Sequence, residues 1–139
     1  MFELFEHTAD LGLRIRAASL EELIAEAGHG LLTMLVANPE AVRPVQAKTI
    51  QLSADGPTYL LFDWLNELLF AFENEKLLLT EFAIELQHGE ALNLTAICRG
   101  EFMDQARHQM DHEVKAITYH GLRVEQTASG WEAEVIVDI

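Results

Sequence analysis

The chain lacks features that would place it in a membrane or outside the cell. Its single cysteine, Cys98, can form no internal disulfide, and it lies in an alternating apolar run that predicts a core position. No apolar stretch reaches the roughly 18 residues that a membrane span needs. The opening residues 1–6 carry neither a basic region nor a long apolar run, so they do not indicate a signal peptide. We expect a cytoplasmic protein with no membrane partner.

Basic residues are scarce, and the standard catalytic signatures are missing. Nine Lys and Arg against 23 Asp and Glu give a net charge of −14, which repels phosphate backbones, so no direct nucleic-acid binding is expected. The sequence contains no phosphate-binding glycine loop, nucleophile elbow, His-Glu-x-x-His motif or paired Cys-x-x-Cys motif. We therefore expect a protein that is not an enzyme in its own right.

Two helices are predicted within a chain that is long enough for one domain, residues 1–139. Ser19 and Glu22 have the spacing of a capping box, and an apolar stripe continues from there to Asn38 and Pro39. Gly28 and Gly30 weaken this helix, which favours close packing against a neighbouring element. The second helix is predicted to start near residue 57 and to bury a wide apolar stripe over residues 61–72.

Alternating apolar residues predict a set of strands. They cover residues 11–17, 49–52, 82–86, 92–98, 114–124 and 131–137, with a hairpin connection at residues 87–90. The resulting fold class is α+β: a single domain in which two amphipathic helices pack on a mostly antiparallel β-sheet arrangement.

Acidic groups at the two ends of the chain suggest a cation site. The last predicted strand would hold the carboxylate of Asp138 beside the free carboxylate of Ile139, and Asp10 precedes another strand. Three hard oxygen ligands in one place would suit a divalent cation. The competing interpretation is that Asp10 caps a turn and Asp138 is a solvated terminal acid. His7 can join the ligands or donate a structural hydrogen bond.

Other polar residues have simpler interpretations. Lys115 and His120 fall on opposite faces of the predicted strand 114–124, where they either contact a partner or are ordinary outward-facing residues. Asp63 and Glu67 are four residues apart on the second helix and are interpreted as part of a solvated face.

Four segments together resemble the archease family. They are His7-Thr8-Ala9-Asp10, the helical residues 60–69, Arg107-His108 followed by residues 113–120, and the terminal Ile136-Val137-Asp138-Ile139. The resemblance implies a non-enzymatic activator of the RtcB-type RNA ligase that joins tRNA halves in tRNA splicing. The activator would promote guanylylation of the ligase and its multiple turnover.

The resemblance also implies which residues act. A divalent cation, typically calcium and alternatively magnesium or manganese, would be held by Asp10, Asp138 and Ile139. Lys115 and His120 match a family segment that can contact the ligase or its nucleotide. Two other functions stay open: a chaperone or assembly module for nucleic-acid-processing enzymes, and a metal-dependent phosphoester hydrolase using Asp10, Asp138 and His7 or His120.

Overall fold

The fold follows from a computed structural model that describes residues 1–7 and 10–139, with the side chains of Glu6 and His7 outside the description. The described residues form two α-helices and eight strands. In chain order these are β1 (Phe2–His7), β2 (Asp10–Ala17), α1 (Leu20–Leu35), β3 (Gln46–Ala54), α2 (Pro57–Glu75), β4 (Leu77–His88), β5 (Leu92–Phe102), β6 (Ala116–Ile117), β7 (Arg123–Thr127) and β8 (Gly130–Asp138). No helix among them is long and apolar enough to cross a membrane.

The strands form two antiparallel sheets. The first has the order β1-β2-β8-β6, with β7 also pairing with β8, and the second has the order β3-β5-β4. Both helices contact strands of both sheets, so the apolar side chains of the two sheets join in one core. The α+β class with two helices on antiparallel sheets is confirmed.

Helix α1 begins and packs as its sequence predicts. The Ser19 hydroxyl accepts a hydrogen bond from the Glu22 amide at 3.2 Å, and the Glu22 carboxylate accepts one from the Ala18 amide at 3.2 Å. A Cβ on Gly28 would meet the Phe82 ring at 2.8 Å, and a Cβ on Gly30 would meet the Leu13 side chain at 2.5 Å. The two glycines therefore permit close contact with both sheets, as expected. The helix ends at Leu35, three residues before Asn38.

Helix α2 buries its apolar stripe and makes one specific polar contact in the core. Trp64 is fully buried, and its indole N–H donates to the Ile24 carbonyl at 2.9 Å. The Phe82 ring meets Trp64 edge-on, with centroids 5.5 Å apart. Because this donor is satisfied inside the core, the large ring can be buried without leaving its N–H unpaired and can fix α2 against α1.

One strand prediction is wrong, and one strand was not predicted. Residues 114–124 do not form one strand: only Ala116–Ile117 pair with β8, a turn follows, and pairing resumes at Arg123–Thr127. Gly121 has φ +65°, a conformation that interrupts an extended chain. The predicted placement of Lys115 and His120 on opposite faces of a strand is therefore wrong. Strand β1 was not predicted, since its residues do not alternate strictly.

Candidate metal-binding site

Asp10 and Asp138 are direct partners in the first sheet. They are opposite residues in the antiparallel pairing of β2 with β8, at the end of both strands. Opposite residues of such a pair have Cβ atoms about 5 Å apart on the same face. Both aspartates are half-buried. The fold therefore brings together two of the predicted ligands from opposite ends of the chain.

The pairing of Asp10 with Asp138 differs from the other charged pairs on the outer face of β2 and β8. Arg16 is opposite Glu132, and Arg14 is opposite Glu134, with closest N···O distances of 3.8 and 3.7 Å. A further cation, Arg123 on β7, lies 3.2 Å from both glutamates. Two successive charged rows thus pair cations with anions, as expected for cross-strand neighbours. At the end of the two strands, beyond the pair Gly12 and Ile136, an acid is opposite an acid. We call Asp10 and Asp138 the acidic edge.

The chemistry of the acidic edge fits a hard divalent cation. Like charges directly opposite on a sheet are destabilising, and a cation between them would offset that repulsion. Carboxylate oxygens are the ligands that calcium, magnesium and manganese prefer. No cluster of three His, Cys, Asp or Glu side chains with metal-binding geometry occurs among the described residues. A site here would thus need ligands beyond the two aspartates, and Ile139 follows Asp138 directly.

Two further predicted site residues, Ile139 and Lys115, are close to the acidic edge in the chain or in the sheet. Ile139 is half-buried, and its side chain packs against the core. The Lys115 amide donates to the Asp138 carbonyl at 2.8 Å, and Ala116 pairs with Asp138 on the side away from Asp10. Lys115 also lines a groove with Glu73 and Lys76 at the end of α2. Its backbone is thus at the acidic edge, and its contact with a partner stays a prediction.

The two histidines give less information. His120 is exposed in the turn after β6, where its backbone amide donates to the Thr118 hydroxyl at 3.3 Å. The backbone of His7 pairs with Asp10 across β1 and β2. The side chain of His7 lies outside the description, so its predicted part in the site stays a prediction.

Sequence reasoning missed an ordered segment that leads into the site. We call residues 103–115 the strap, because they cross the carboxyl end of α1. The Asp111 and His112 amides donate to the Leu35 and Met34 carbonyls at 2.9 and 3.0 Å. These carbonyls belong to the last turn of the helix and have no partner within it. The strap therefore provides hydrogen-bond donors for two terminal carbonyls of α1.

Asn38 fastens the strap at a second place. Its side-chain amide donates to the Arg107 carbonyl at 3.0 Å, and its side-chain oxygen accepts from the Gln109 amide at 2.7 Å. The Ala37 amide donates to the Gln109 carbonyl at 2.7 Å. The connection after α1 and the strap are thus held together by three hydrogen bonds over a short length.

A buried carboxylate, Glu101, joins the strap to the second sheet. Glu101 is 5% exposed, and its Oε1 accepts from Arg107 Nη1 at 2.7 Å and from His108 Nε2 at 2.6 Å. Its Oε2 accepts from Arg43 Nε at 3.1 Å. His108 Nδ1 accepts from the Asp104 amide at 2.9 Å, so the ring proton is on Nε2 and is donated to Glu101.

The electrostatics of Glu101 follow from these contacts. Burial raises the pKa of this carboxyl, but the hydrogen bonds from Arg107, His108 and Arg43 outweigh burial and lower it from 4.5 to about 2. Alternation along β5 predicts that Glu101 faces solvent beside Arg99, because the even-numbered residues Leu94, Ala96 and Cys98 face the core. The strap and Arg43 cover Glu101, and no local pattern in the sequence predicts this cover.

The fold and site define a small α+β protein with two antiparallel sheets and an acidic sheet edge. Residues 2–139 match the Archease protein family (MTH1598/TM1083). Protein archease of Methanopyrus kandleri is 37% identical over 139 residues, covering 99% of each chain, and that of Pyrococcus abyssi is 33% identical over 140 residues, covering 99% of this chain and 98% of the relative. The chain belongs to the archease family.

Solved structures agree with the fold. The solution structure of Methanobacterium thermoautotrophicum protein 1598 has a TM-score of 0.86 and 27% identity, and the match covers 99% of this chain and 98% of that one. The crystal structure of an archease from Thermotoga maritima, described as a possible chaperone, has a TM-score of 0.66 at 23% identity, with 100% and 98% covered. The second likeness concerns the fold alone.

Proposed function

We propose that this protein is a non-enzymatic activator of an RtcB-type RNA ligase in tRNA splicing, acting in the cytoplasm through a divalent cation held at the acidic edge. The observation that carries the proposal is the direct pairing of Asp10 with Asp138, together with membership of the archease family. Asp10, Asp138 and the terminal carboxylate of Ile139 would hold the cation, with calcium, magnesium and manganese as candidates. A bound cation would supply positive charge at an otherwise anionic edge.

The protein's own residues would act by positioning. The acidic edge would dock near the nucleotide pocket of the ligase, and Lys115, whose amide donates to the Asp138 carbonyl, would contact the ligase or its nucleotide. Correct placement of reacting groups can change a rate greatly without any donated catalytic group. The net charge of −14 supports a partner with a basic, RNA-handling surface. His120, which is exposed in the turn after β6, is a further proposed contact.

Multiple-turnover ligation by the cognate ligase tests this proposal. With limiting ligase and GTP, we expect wild-type protein to accelerate turnover, and Asp10→Asn or Asp138→Asn to remove most of the acceleration. Asp55→Asn, which changes an exposed acid before α2, serves as the matched control and should behave like wild type. Adding two residues after Ile139 tests the terminal carboxylate alone. Full acceleration by both Asp10 and Asp138 variants would exclude the acidic edge as the site.

A chaperone or assembly role is the second candidate, supported by the description of the Thermotoga maritima relative as a possible chaperone. It predicts binding to several nucleic-acid-processing enzymes that persists after chelation of divalent cations. Activation through the acidic edge predicts instead that chelation removes the effect on the ligase. Release of product from a phosphoester substrate by this chain alone would support the hydrolase alternative.

A further inference from the structure

Helix α2 presents exposed aromatic side chains on the face turned away from the core. Tyr59 is 56% exposed and Phe70 is 58% exposed. Phe62, between them along the helix, stacks on Tyr119 with ring centroids 3.9 Å apart and planes at 16°. Tyr119 is itself 60% exposed. We call Tyr59, Phe62, Phe70 and Tyr119 the aromatic face; it contains both tyrosines of the chain.

Phe62 packs partly against the core, but core packing does not explain the exposed rings of Tyr59, Phe70 and Tyr119. Residues 59, 62, 66 and 70 recur at three and four positions and share one side of the helix. The opposite side, with Leu61, Trp64 and Leu65, already fills the core. A surface helix with a single buried stripe has a polar outer side, so α2 carries more apolar surface than its own fold uses. Exposed apolar patches with polar rims mark interaction sites.

The rim of the aromatic face is acidic. Asp63 and Glu67 lie on α2 between its aromatic residues, and Glu73 follows Phe70 by one turn. Within the described part of the chain, none of these three carboxylates has an ion-pair partner, whereas Glu132 and Glu134 on the first sheet each have arginine partners. Unpaired acids around aromatic side chains complement a basic protein surface with apolar pockets.

A short stretch of chain connects the aromatic face to the acidic edge. Tyr119 follows Ala116, the residue that pairs with Asp138, by three residues, a reach of about 10 Å in extended chain. A partner bound at the acidic edge would thus be within reach of the aromatic face in the same complex. One continuous surface would combine a cation site with aromatic anchors of the kind that dominate binding energy.

We infer that the aromatic face, with its rim of Asp63, Glu67 and Glu73, is the surface on which a basic protein partner docks. The inference rests on the proposed function, under which this partner is the RNA ligase. A nucleic acid is the less suitable occupant, because stacking on these rings would place its phosphates beside the acidic rim of a protein with net charge −14.

Binding of the cognate ligase to matched variants tests the inference. We expect the double variant Tyr59→Ala and Phe70→Ala to bind at least about tenfold more weakly than wild type, because exposed aromatic anchors carry a large share of binding energy. The control is Phe102→Ala, which removes a phenylalanine of similar exposure, 52%, from strand β5. It should bind like wild type. Circular dichroism of each variant checks that the fold is kept.

The acidic rim makes a separate prediction for the association rate. We expect the double variant Glu67→Lys and Glu73→Lys to associate with the ligase more slowly and with a weaker salt dependence, because rim charges steer the encounter. Glu81→Lys with Glu85→Lys, two exposed acids of strand β4, provides the same change of net charge elsewhere. An equal effect of both pairs would overturn the inferred surface.

The outcomes separate this inference from the proposed function. If wild-type protein binds and stimulates the ligase and the Tyr59 and Phe70 double variant does so equally well, the aromatic face is overturned as the docking surface while the activator role survives. If wild-type protein neither binds nor stimulates the ligase, both the docking surface and the activator role are contradicted. If wild-type protein binds an RNA oligonucleotide and the double variant loses that binding, the face serves RNA and the inference is overturned.

Discussion

Glu101 has more hydrogen-bonding partners than any other carboxylate described in this protein, and they come from both sides of β5 in the sequence. Arg43 lies between α1 and β3, whereas Arg107 and His108 lie on the strap. A buried carboxylate is stable only when such donors replace water. Since removal of its charge would loosen both segments at once, Glu101 links the connection after α1 to the strap.

The lowered pKa of Glu101 predicts a defined loss of stability in acid. A carboxyl whose pKa falls from 4.5 to about 2 on folding stabilises the protein fully above pH 4.5, and this contribution is lost as the pH falls toward 2. We expect the free energy of unfolding of Glu101→Gln to vary less with pH in this window than that of wild type. Urea unfolding at several pH values measures it.

The same substitution should also act at neutral pH. Hydrogen bonds to a charged group contribute about 1.5–3 kcal/mol, so Glu101→Gln should lower the free energy of unfolding at pH 7 by about 2 kcal/mol. The control is Glu75→Gln, which removes an exposed carboxylate 2.9 Å from Lys48 and should cost under about 1 kcal/mol. Equal losses for the two variants would show that the Glu101 contacts have no special weight.

At the scale of elements, some features could be predicted from the sequence because their causes are local. The capping box of Ser19 and Glu22 predicts where α1 begins, and the glycines at 28 and 30 predict its close packing. The opposed Asp10 and Asp138 could be anticipated, since each lies next to a strand with clear alternation and the family resemblance joins them.

Other elements could not be predicted, because their causes lie elsewhere in the chain. Strand β1 gains its order from pairing with β2. The strap has no periodicity of its own: it is held by Asn38, by the last carbonyls of α1 and by Glu101. The break within residues 114–124 reflects a turn whose apolar residues alternate as a strand would. In each case tertiary contacts override the local pattern.

The two hydrogen bonds of Asn38 predict how firmly the strap is held. Asn38→Ala removes both bonds, so we expect faster hydrogen exchange at the Asp111 and His112 amides, which close the end of α1. Asn38→Asp keeps the acceptor for the Gln109 amide and loses only the donor to the Arg107 carbonyl, and should therefore have a smaller effect. Exchange as slow as in wild type in the alanine variant would mean that the strap is held without Asn38.

At the scale of the whole molecule, charge is the property that connects fold and proposed function. A net charge of −14 on 139 residues disfavours the compact state through self-repulsion. Arginines relieve part of this repulsion on the outer face of β2 and β8, where they are opposite glutamates. At the acidic edge two aspartates face each other, and a bound cation would add positive charge to this anionic protein there.

Cation binding at the acidic edge should therefore stabilise the whole protein. A ligand that binds only the folded state at a hundredfold excess over its Kd adds about 2.7 kcal/mol, which for a chain of this size raises the Tm by about 8 °C. We expect such a rise with calcium, magnesium or manganese after chelator treatment, and its loss in Asp10→Asn and Asp138→Asn but not in Asp55→Asn. Thermal unfolding with and without each metal measures it. Equal rises in all three variants would mean that the stabilising cation binds elsewhere, and would remove the physical basis for a metal at the paired aspartates.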